Sequence, residues 1–188
     1  MLIRVCPYNS WVMYTTRDVI LAAINLSGGV DSVHGLVLVL FTAQYDITPW
    51  VGSGRLVRLV REYYYGGKPL VANDWYLWDS LPWSNEVDEA IDELVGSNLI
   101  TIEHKGVGVD NIRPGSMTDV PSLPDPVVSR LANALGRYVA YTPWGFRQLV
   151  RWLLGLEDPD KAAYYNGVSV RKYLESMGTS VVGVELGP

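Results

Sequence analysis

The chain has 188 residues, of which 48% are hydrophobic, and a formal net charge of −5. This length fits one domain of ordinary size, and the hydrophobic content supplies a sizeable core, which excludes a globally disordered chain. The negative charge argues against broad, non-specific attraction to nucleic acid or to an anionic membrane, although it is compatible with a local basic patch. Because Cys6 is the only cysteine, the sequence excludes an internal disulfide and a cysteine-built zinc site.

Targeting segments and membrane spans are not predicted. Residues 1–10 lack the basic and apolar sections of a signal peptide, and the most apolar run, residues 33–41, is too short to cross a bilayer. We therefore expect a cytoplasmic protein with no membrane partner. No metal is expected, since only two histidines accompany the single cysteine. The seven tryptophans and twelve tyrosines are expected to fill the core and interfaces.

In the first third of the chain, the sequence pattern predicts helices that end at glycines. Thr16 is a suitable N-cap for a helix that ends near Gly28 and Gly29. The same stretch also fits a continuous apolar strand, and its periodicity leaves both assignments open. A second helix is expected over residues 33–45. A third helix, ended by residues 66–69, is expected to carry five apolar or aromatic residues on one face: Leu56, Leu59, Val60, Tyr63 and Tyr64.

Residues 81–102 have the clearest pattern. Ser84 is a good N-cap, and the acidic residues that follow it stand in the first turn, where the helix dipole favours negative charge. The helix carries one apolar stripe, formed by Val87, Ala90, Ile91, Leu94 and Val95. A strand is expected over residues 99–102, and a hairpin turn containing Gly106 and Gly108 follows. This order of helix, strand and glycine-bearing hairpin is the layout of a winged helix.

The C-terminal part predicts further helices. An irregular, proline-rich stretch comes first, marked by Pro114, Pro121, Pro124 and Pro126. Helices are then expected over residues 126–138 and from Thr142 to residue 154, with Pro143 in the first turn of the latter. A last helix begins at Ser169 and stops at Gly178, and residues 179–188 form a strand or are loosely ordered.

Residues 76–102 resemble the signature of the SocA-like (Panacea) and YwgA-like proteins. That signature joins an aromatic strand, a Gly-Pro-aromatic-Ser run, an acidic amphipathic helix and a Gly-Leu-Ile turn. Pro82, Trp83 and Ser84 match its centre, whereas Leu81 and Asn98 stand where the family has glycine. The resemblance implies a winged-helix fold and a regulatory role such as that of an antitoxin.

We therefore predict a helix-rich α+β fold with a winged-helix core and additional C-terminal helices. Residues 1–120 would form the winged-helix-like domain, and residues 121–188 a helical region packed on it as one compact unit.

The winged-helix hypothesis raises the question of DNA binding. The helix before the wing usually enters the major groove. Here its exposed face would present only carboxylates to a polyanion: Glu86, Asp88, Glu89, Asp92 and Glu93. Since cationic contacts supply most of the affinity for DNA, this docking is disfavoured.

Two sets of arginines are the alternative nucleic-acid candidates. Arg55, Arg58 and Arg61 are spaced three apart on the predicted third helix, and Arg147 and Arg151 lie one turn apart on a later helix. Both sets also fit solvated helix faces with ordinary salt links. An acidic winged helix is better suited to a non-catalytic, transcription-associated adaptor or to a dimerisation module. A protein partner or self-association is therefore our leading hypothesis, and nucleic acid comes second.

The run Ser27-Gly28-Gly29-Val30-Asp31-Ser32 resembles the signature of PP-loop ATP pyrophosphatases. The resemblance implies an enzyme that adenylates its substrate with ATP and magnesium. Ser27, Gly28, Gly29 and Ser32 would then hold pyrophosphate, while Asp31 would help to place the magnesium ion.

A structural interpretation of the same run competes with the enzyme hypothesis. The chain lacks the alternating strands and helices that the parallel sheet of such an enzyme requires. Gly28 and Gly29 would instead end one helix, and Asp31 or Ser32 would cap the next. We prefer this interpretation and expect no catalytic residue and no cofactor.

Overall fold

A computed structural model of the protein describes residues 14–52, 55–105, 110–116 and 120–187, and the side chains of residues 50–57 are outside this description. Cys6 and the predicted turn glycines, Gly106 and Gly108, lie outside the described residues. The fold is α+β. In chain order its elements are α1 (Thr16–Ser27), α2 (Val33–Gln44), β1 (Tyr45–Gly52), β2 (Arg55–Tyr65), β3 (Lys68–Pro69), β4 (Trp75–Trp78), β5 (Leu81–Ser84), α3 (Asn85–Gly96), β6 (Ile100–His104), β7 (Asp110–Pro114), α4 (Asp125–Ala140), α5 (Pro143–Leu154), α6 (Pro159–Tyr164), α7 (Val170–Ser176) and β8 (Val181–Glu185).

Helices α1 and α2 form the centre of the core. A capping box starts α1, because the Thr15 side chain accepts from the Asp18 N–H and the Asp18 carboxylate accepts from the Thr15 N–H. Of the two assignments that the sequence left open here, the helix is correct. In α2, every residue from Gly35 to Gln44 is buried, as expected of a helix surrounded on all sides by other elements.

The predicted third helix is wrong, because residues 55–65 form strand β2. Val60 lies opposite Ile47 of β1 in an antiparallel pair and opposite Val181 of β8 in a parallel pair. This strand therefore has neighbours on both edges, and Val60 is fully buried. Tyrosine and valine fit a pleated, half-buried surface well, and pairing with two strands outweighs the helical spacing of the apolar residues.

A buried glutamine fastens the sheet to the segment that follows it. The Gln44 side-chain oxygen accepts from the N–H groups of Val71 and Ala72 and from the indole N–H of Trp75, at 2.9–3.1 Å. Its amide nitrogen donates to the Ala72 carbonyl and to Glu62. Because Gln44 satisfies the buried backbone groups of Val71 and Ala72 and the indole of Trp75, it fixes the path of the chain between β3 and β4.

Helix α3 and the β6–β7 hairpin follow the predicted pattern. The Ser84 hydroxyl accepts from the Val87 N–H and so caps α3. Strand β6 pairs with β7 in an antiparallel hairpin. Val30, between α1 and α2, exchanges two backbone hydrogen bonds of 2.9 and 2.8 Å with Ile112 of β7. The hairpin is thereby tied to the corner between the first two helices.

The C-terminal elements pack on this framework. Helix α4 contacts α1 and α2, and α5 contacts α2 and β1. Helix α6 was not predicted; it is short and is capped by Asp158. Residues 181–185 form a strand that completes the main sheet, in agreement with one of the two expectations for the tail. Among the helices of the described residues, none has both the length and the apolar character needed to cross a bilayer.

Candidate functional site

The run Ser27–Ser32 forms a turn between two helices. Gly28 ends α1 in the left-handed conformation, with φ of 69°, and Ser32 caps α2 by accepting from the Gly35 N–H at 2.8 Å. The structural interpretation of these residues is therefore confirmed. A PP-loop motif follows a buried strand, whereas here helix α1 occupies that position.

The amide groups of this turn bond within the protein. The N–H groups of Gly28 and Gly29 donate to groups of α1, and the Val30 N–H donates to the Ile112 carbonyl. The Arg113 side chain donates to the Gly28 carbonyl at 3.0 Å and lies against Gly29, where a Cβ would clash. These three N–H groups already have partners, and the turn fastens the α1–α2 corner to β7.

The Asp31 side chain also faces β7. The buried Asn111 amide donates to the Asp31 carboxylate at 3.0 Å, and its oxygen accepts from the Lys105 ammonium group. Asp31 therefore has a structural partner in the same hairpin. Nowhere in the described ranges do three or more His, Cys, Asp or Glu side chains gather in a way that could hold a metal ion.

The first set of predicted basic residues does not form one face. Since β2 is a strand, the side chains of Arg58 and Arg61 point to opposite faces. Arg58 donates to the Leu153 carbonyl at 2.6 Å, at the end of α5, and Arg61 lies 3.8 Å from Asp46. The Arg55 side chain lies outside the described residues. The idea of a basic helix face at this position was therefore wrong.

Three arginines bind the carboxyl ends of helices. Arg113 bonds to the last turn of α1 and Arg58 to that of α5, while Arg130 donates to the Ala43 and Thr42 carbonyls of α2 at 3.0 and 3.2 Å. The last carbonyls of a helix lack internal partners and carry partial negative charge, so a guanidinium stabilises them. Sequence reasoning missed this role because each partner is more than 80 residues away.

The second predicted set is placed as expected. Arg147 and Arg151 lie one turn apart on α5, and Trp144 precedes them on the same face. Arg151 is half-buried and donates to the Ser80 hydroxyl at 2.7 Å. Trp144 is 71% exposed. Burial and the nearby Arg147 charge lower the pKa of His34, whose ring packs on Trp83.

A second exposed tryptophan lies beside Arg151. Trp78 is 57% exposed and ends β4, just before a two-residue turn in which Asp79 and Ser80 both have left-handed φ angles of 48° and 64°. Trp78 and Arg151 line one shallow cavity of about 440 Å³. Trp144, Arg147 and Arg151 share one face of α5, and Trp78 lies beside Arg151; we call these four residues the Trp–Arg surface. The sequence placed its two arginines but assigned the tryptophans to the interior and interfaces as a group.

No protein-family model matches the sequence, and no curated protein and no solved structure matches it either. The resemblances to the SocA-like and YwgA-like proteins and to the PP-loop enzymes therefore stay predictions.

Helix α3 presents the expected acidic face in two rows. Glu89 and Glu93, with the half-buried Glu86, face the start of α1, whereas Asp88 and Asp92 lie on the adjacent side. Burial and the neighbouring Asp92 charge raise the pKa of Asp88. The two rows give the molecule an acidic surface separate from the Trp–Arg surface.

Proposed function

We propose that this protein is a non-catalytic interaction protein and that the Trp–Arg surface binds its protein partner. The observation that carries the proposal is the exposure of Trp144 and Trp78, at 71% and 57%, next to two arginines. Tryptophan and arginine are the residues that contribute most to binding at protein interfaces. Exposed tryptophans are costly to leave in water, so their grouping on one surface favours a partner over a solvated face.

The partner that suits this surface is a second copy of the chain. Arg147 and Arg151 supply positive charge, and the Asp88–Asp92 row of α3 supplies negative charge elsewhere on the same molecule. In a two-fold dimer, each α5 would meet the α3 of the other copy, so that the same contact forms twice and the assembly is closed. Complementary charge of this kind sets the orientation of the partners.

A winged-helix arrangement is the second part of the proposal. It is supported by the chain order of α1, α2, α3 and the β6–β7 hairpin, and by the two hydrogen bonds between Val30 and Ile112. Strands β1 to β5 would then be an insertion between the second and third helices. The acidic exposed face of α3 favours a protein partner over the DNA major groove.

Sedimentation equilibrium at several protein concentrations tests the dimer. We expect the wild-type chain to dimerise, and Trp144→Ser and Arg147→Glu to weaken dimerisation by at least about tenfold, since each removes an anchor of the interface. Met177→Ser is a matched control, because Met177 is exposed but lies at the C-cap of α7. Mixing Arg147→Glu with Asp92→Arg should restore association between the two variants, because both contacts of the mixed pair join opposite charges, one in the native order and one reversed.

A wild-type chain that stays monomeric at every concentration would reject the second copy as the partner. Nucleic acid is the competing ligand, since alternating aromatic and basic side chains also bind single strands. Fluorescence anisotropy with a labelled single-stranded oligonucleotide measures it directly. Affinity that falls steeply with salt and is lost in Arg147→Glu would replace the protein partner with nucleic acid.

A further inference from the structure

A second cavity among the described residues lies away from the Trp–Arg surface. It is a cleft of about 510 Å³ between the start of α1, the β2–β3 turn and α3. This volume is in the range of small-molecule sites. One wall is aromatic, formed by Tyr14 and Tyr65, and the opposite wall carries the Glu86, Glu89 and Glu93 row of α3. The cleft therefore combines π faces with carboxylates.

The aromatic wall offers two rings and one hydroxyl. The rings of Tyr14 and Tyr65 are 6.1 Å apart and inclined by 44°. The Tyr14 hydroxyl oxygen is buried and has no hydrogen-bond partner. Burial, followed by the Tyr65 and Glu185 charges, raises the pKa of Tyr14 to about 12, so this hydroxyl stays neutral at physiological pH. The π faces of the two rings attract a cation placed over them.

The acidic wall is held in place by its neighbours. The two Glu86 oxygens accept from the Thr16 hydroxyl at 2.6 Å and from the Asn73 N–H at 3.0 Å. Glu93 lies 3.3 Å from Arg17. Glu89, between them on the helix, is exposed and points to the same side. Two carboxylates are thereby fixed, and the third faces the cleft opening.

The balance of charge in the cleft is negative. Glu86, Glu89 and Glu93 line it, and Glu185 stands at its rim, where it accepts from the Gly67 N–H. Among the described residues, the cationic side chains that line the cleft are those of Arg17 and Lys68. Carboxylates close to low-dielectric walls concentrate the negative potential, which raises the local concentration of cations.

We propose that this cleft binds a small organic cation, one that carries an ammonium or guanidinium group on an aliphatic body. The charged group lies between the aromatic wall and Glu89, where it gains cation–π attraction and a charge-assisted hydrogen bond. The aliphatic body lies along the apolar atoms of Val71 and Ala90, which also line the cleft. This site is independent of the proposed dimer, which uses the Asp88–Asp92 row.

Isothermal titration calorimetry with spermidine and with agmatine tests the proposal, because these probes carry ammonium groups alone or ammonium with guanidinium. We expect saturable one-site binding of at least one probe at constant ionic strength. Glu89→Gln should weaken it about five- to tenfold, since one opposite charge beside the cation is lost. Glu103→Gln removes the same charge from an exposed position on β6, outside the cleft and outside the proposed dimer surface, and should change the affinity less than twofold.

Tyr65→Leu should also weaken binding, once circular dichroism has shown that the variant folds. Because this change removes an aromatic ring and no charge, it distinguishes the contribution of the aromatic wall from a general charge effect. If Tyr65→Leu does not fold, the comparison of Glu89→Gln with Glu103→Gln decides alone. Equal weakening by these two variants would mean diffuse attraction to an acidic surface and would overturn the proposal. Absence of saturable binding of both probes at millimolar concentration would overturn it as well, whatever the oligomeric state of the chain.

Discussion

Helices α3 and α5 have similar buried faces but different exposed faces. Each has 12 residues, each begins at a hydroxyl N-cap, Ser84 or Thr142, and each buries one apolar stripe. Their exposed faces are opposite in character, since α3 presents carboxylates and α5 presents arginine and tryptophan. The buried stripe places each helix in the fold, so the exposed residues are free to define what the helix binds.

The largest expected effect is the loss of unfolding free energy when the buried stripe of either helix is truncated. It tests whether the two stripes contribute equally to stability. Leu94 of α3 and Phe146 of α5 are 0% and 1% exposed. We expect Leu94→Ala to cost about 2–5 kcal/mol and Phe146→Ala about 3–5 kcal/mol of unfolding free energy, because each leaves a cavity in the core. Urea denaturation measures both. A loss below about 1 kcal/mol for either variant would show that its helix is not anchored by this stripe.

The N-cap residues of α3 and α5 allow a second comparison of how much each helix end contributes to stability. Thr142 is exposed and accepts only from the Gly145 N–H, whereas Ser84 is fully buried and also donates to the Asp74 carboxylate. We expect Thr142→Ala to cost about 1 kcal/mol and Ser84→Ala about 2 kcal/mol or more, because the latter also removes a donor from a carboxylate. Thermal unfolding followed by circular dichroism gives both values. Equal losses of unfolding free energy in the two variants would mean that the Ser84–Asp74 hydrogen bond adds nothing to stability.

The smallest expected effect is a change in the pH dependence of stability, caused by the positive charge of α5. The pKa of His34 is lowered first by burial and then by Arg147. The unfolded chain therefore binds a proton more readily than the folded one, and stability falls as the pH drops below the ordinary histidine value of about 6.5 towards the lowered pKa. Arg147→Gln should raise the His34 pKa and reduce this loss.

NMR titration of the two histidines measures the effect, and His104, which is bonded to Asp110 at 2.7 Å, serves as the internal control. An unchanged His34 titration in Arg147→Gln would exclude an influence of the α5 charge on α2.

The elements that sequence reasoning placed correctly are those with local signals. Ser84 as a cap, Thr142 as a helix start, Gly28 as a helix end, and the apolar stripe of α3 all lie within or directly beside the helices that they define. Strand β2 has no such local signal. Its apolar residues also fit a helix, and the partner that decides the matter, β8, lies more than a hundred residues further on.

The candidate surface was accessible to sequence reasoning only in part. Arg147 and Arg151 followed from helical spacing, but the proximity of Trp78 depends on the turn at Asp79 and Ser80 meeting α5. The roles of Arg58, Arg113 and Arg130 at helix ends also depend on tertiary contacts. The sequence alone does not reveal whether an arginine side chain faces solvent or bonds to the last carbonyls of another helix.

The parallel pairing of β2 with β8 has a consequence for biosynthesis. Val60 and Val181 are roughly 120 residues apart, so at about 5–20 residues per second a ribosome needs about 6–24 s to deliver the partner of β2. During that interval one edge of β2 has unsatisfied backbone groups. Until β8 pairs with β2, the nascent chain therefore presents an open strand edge, which favours misfolding and capture by chaperones.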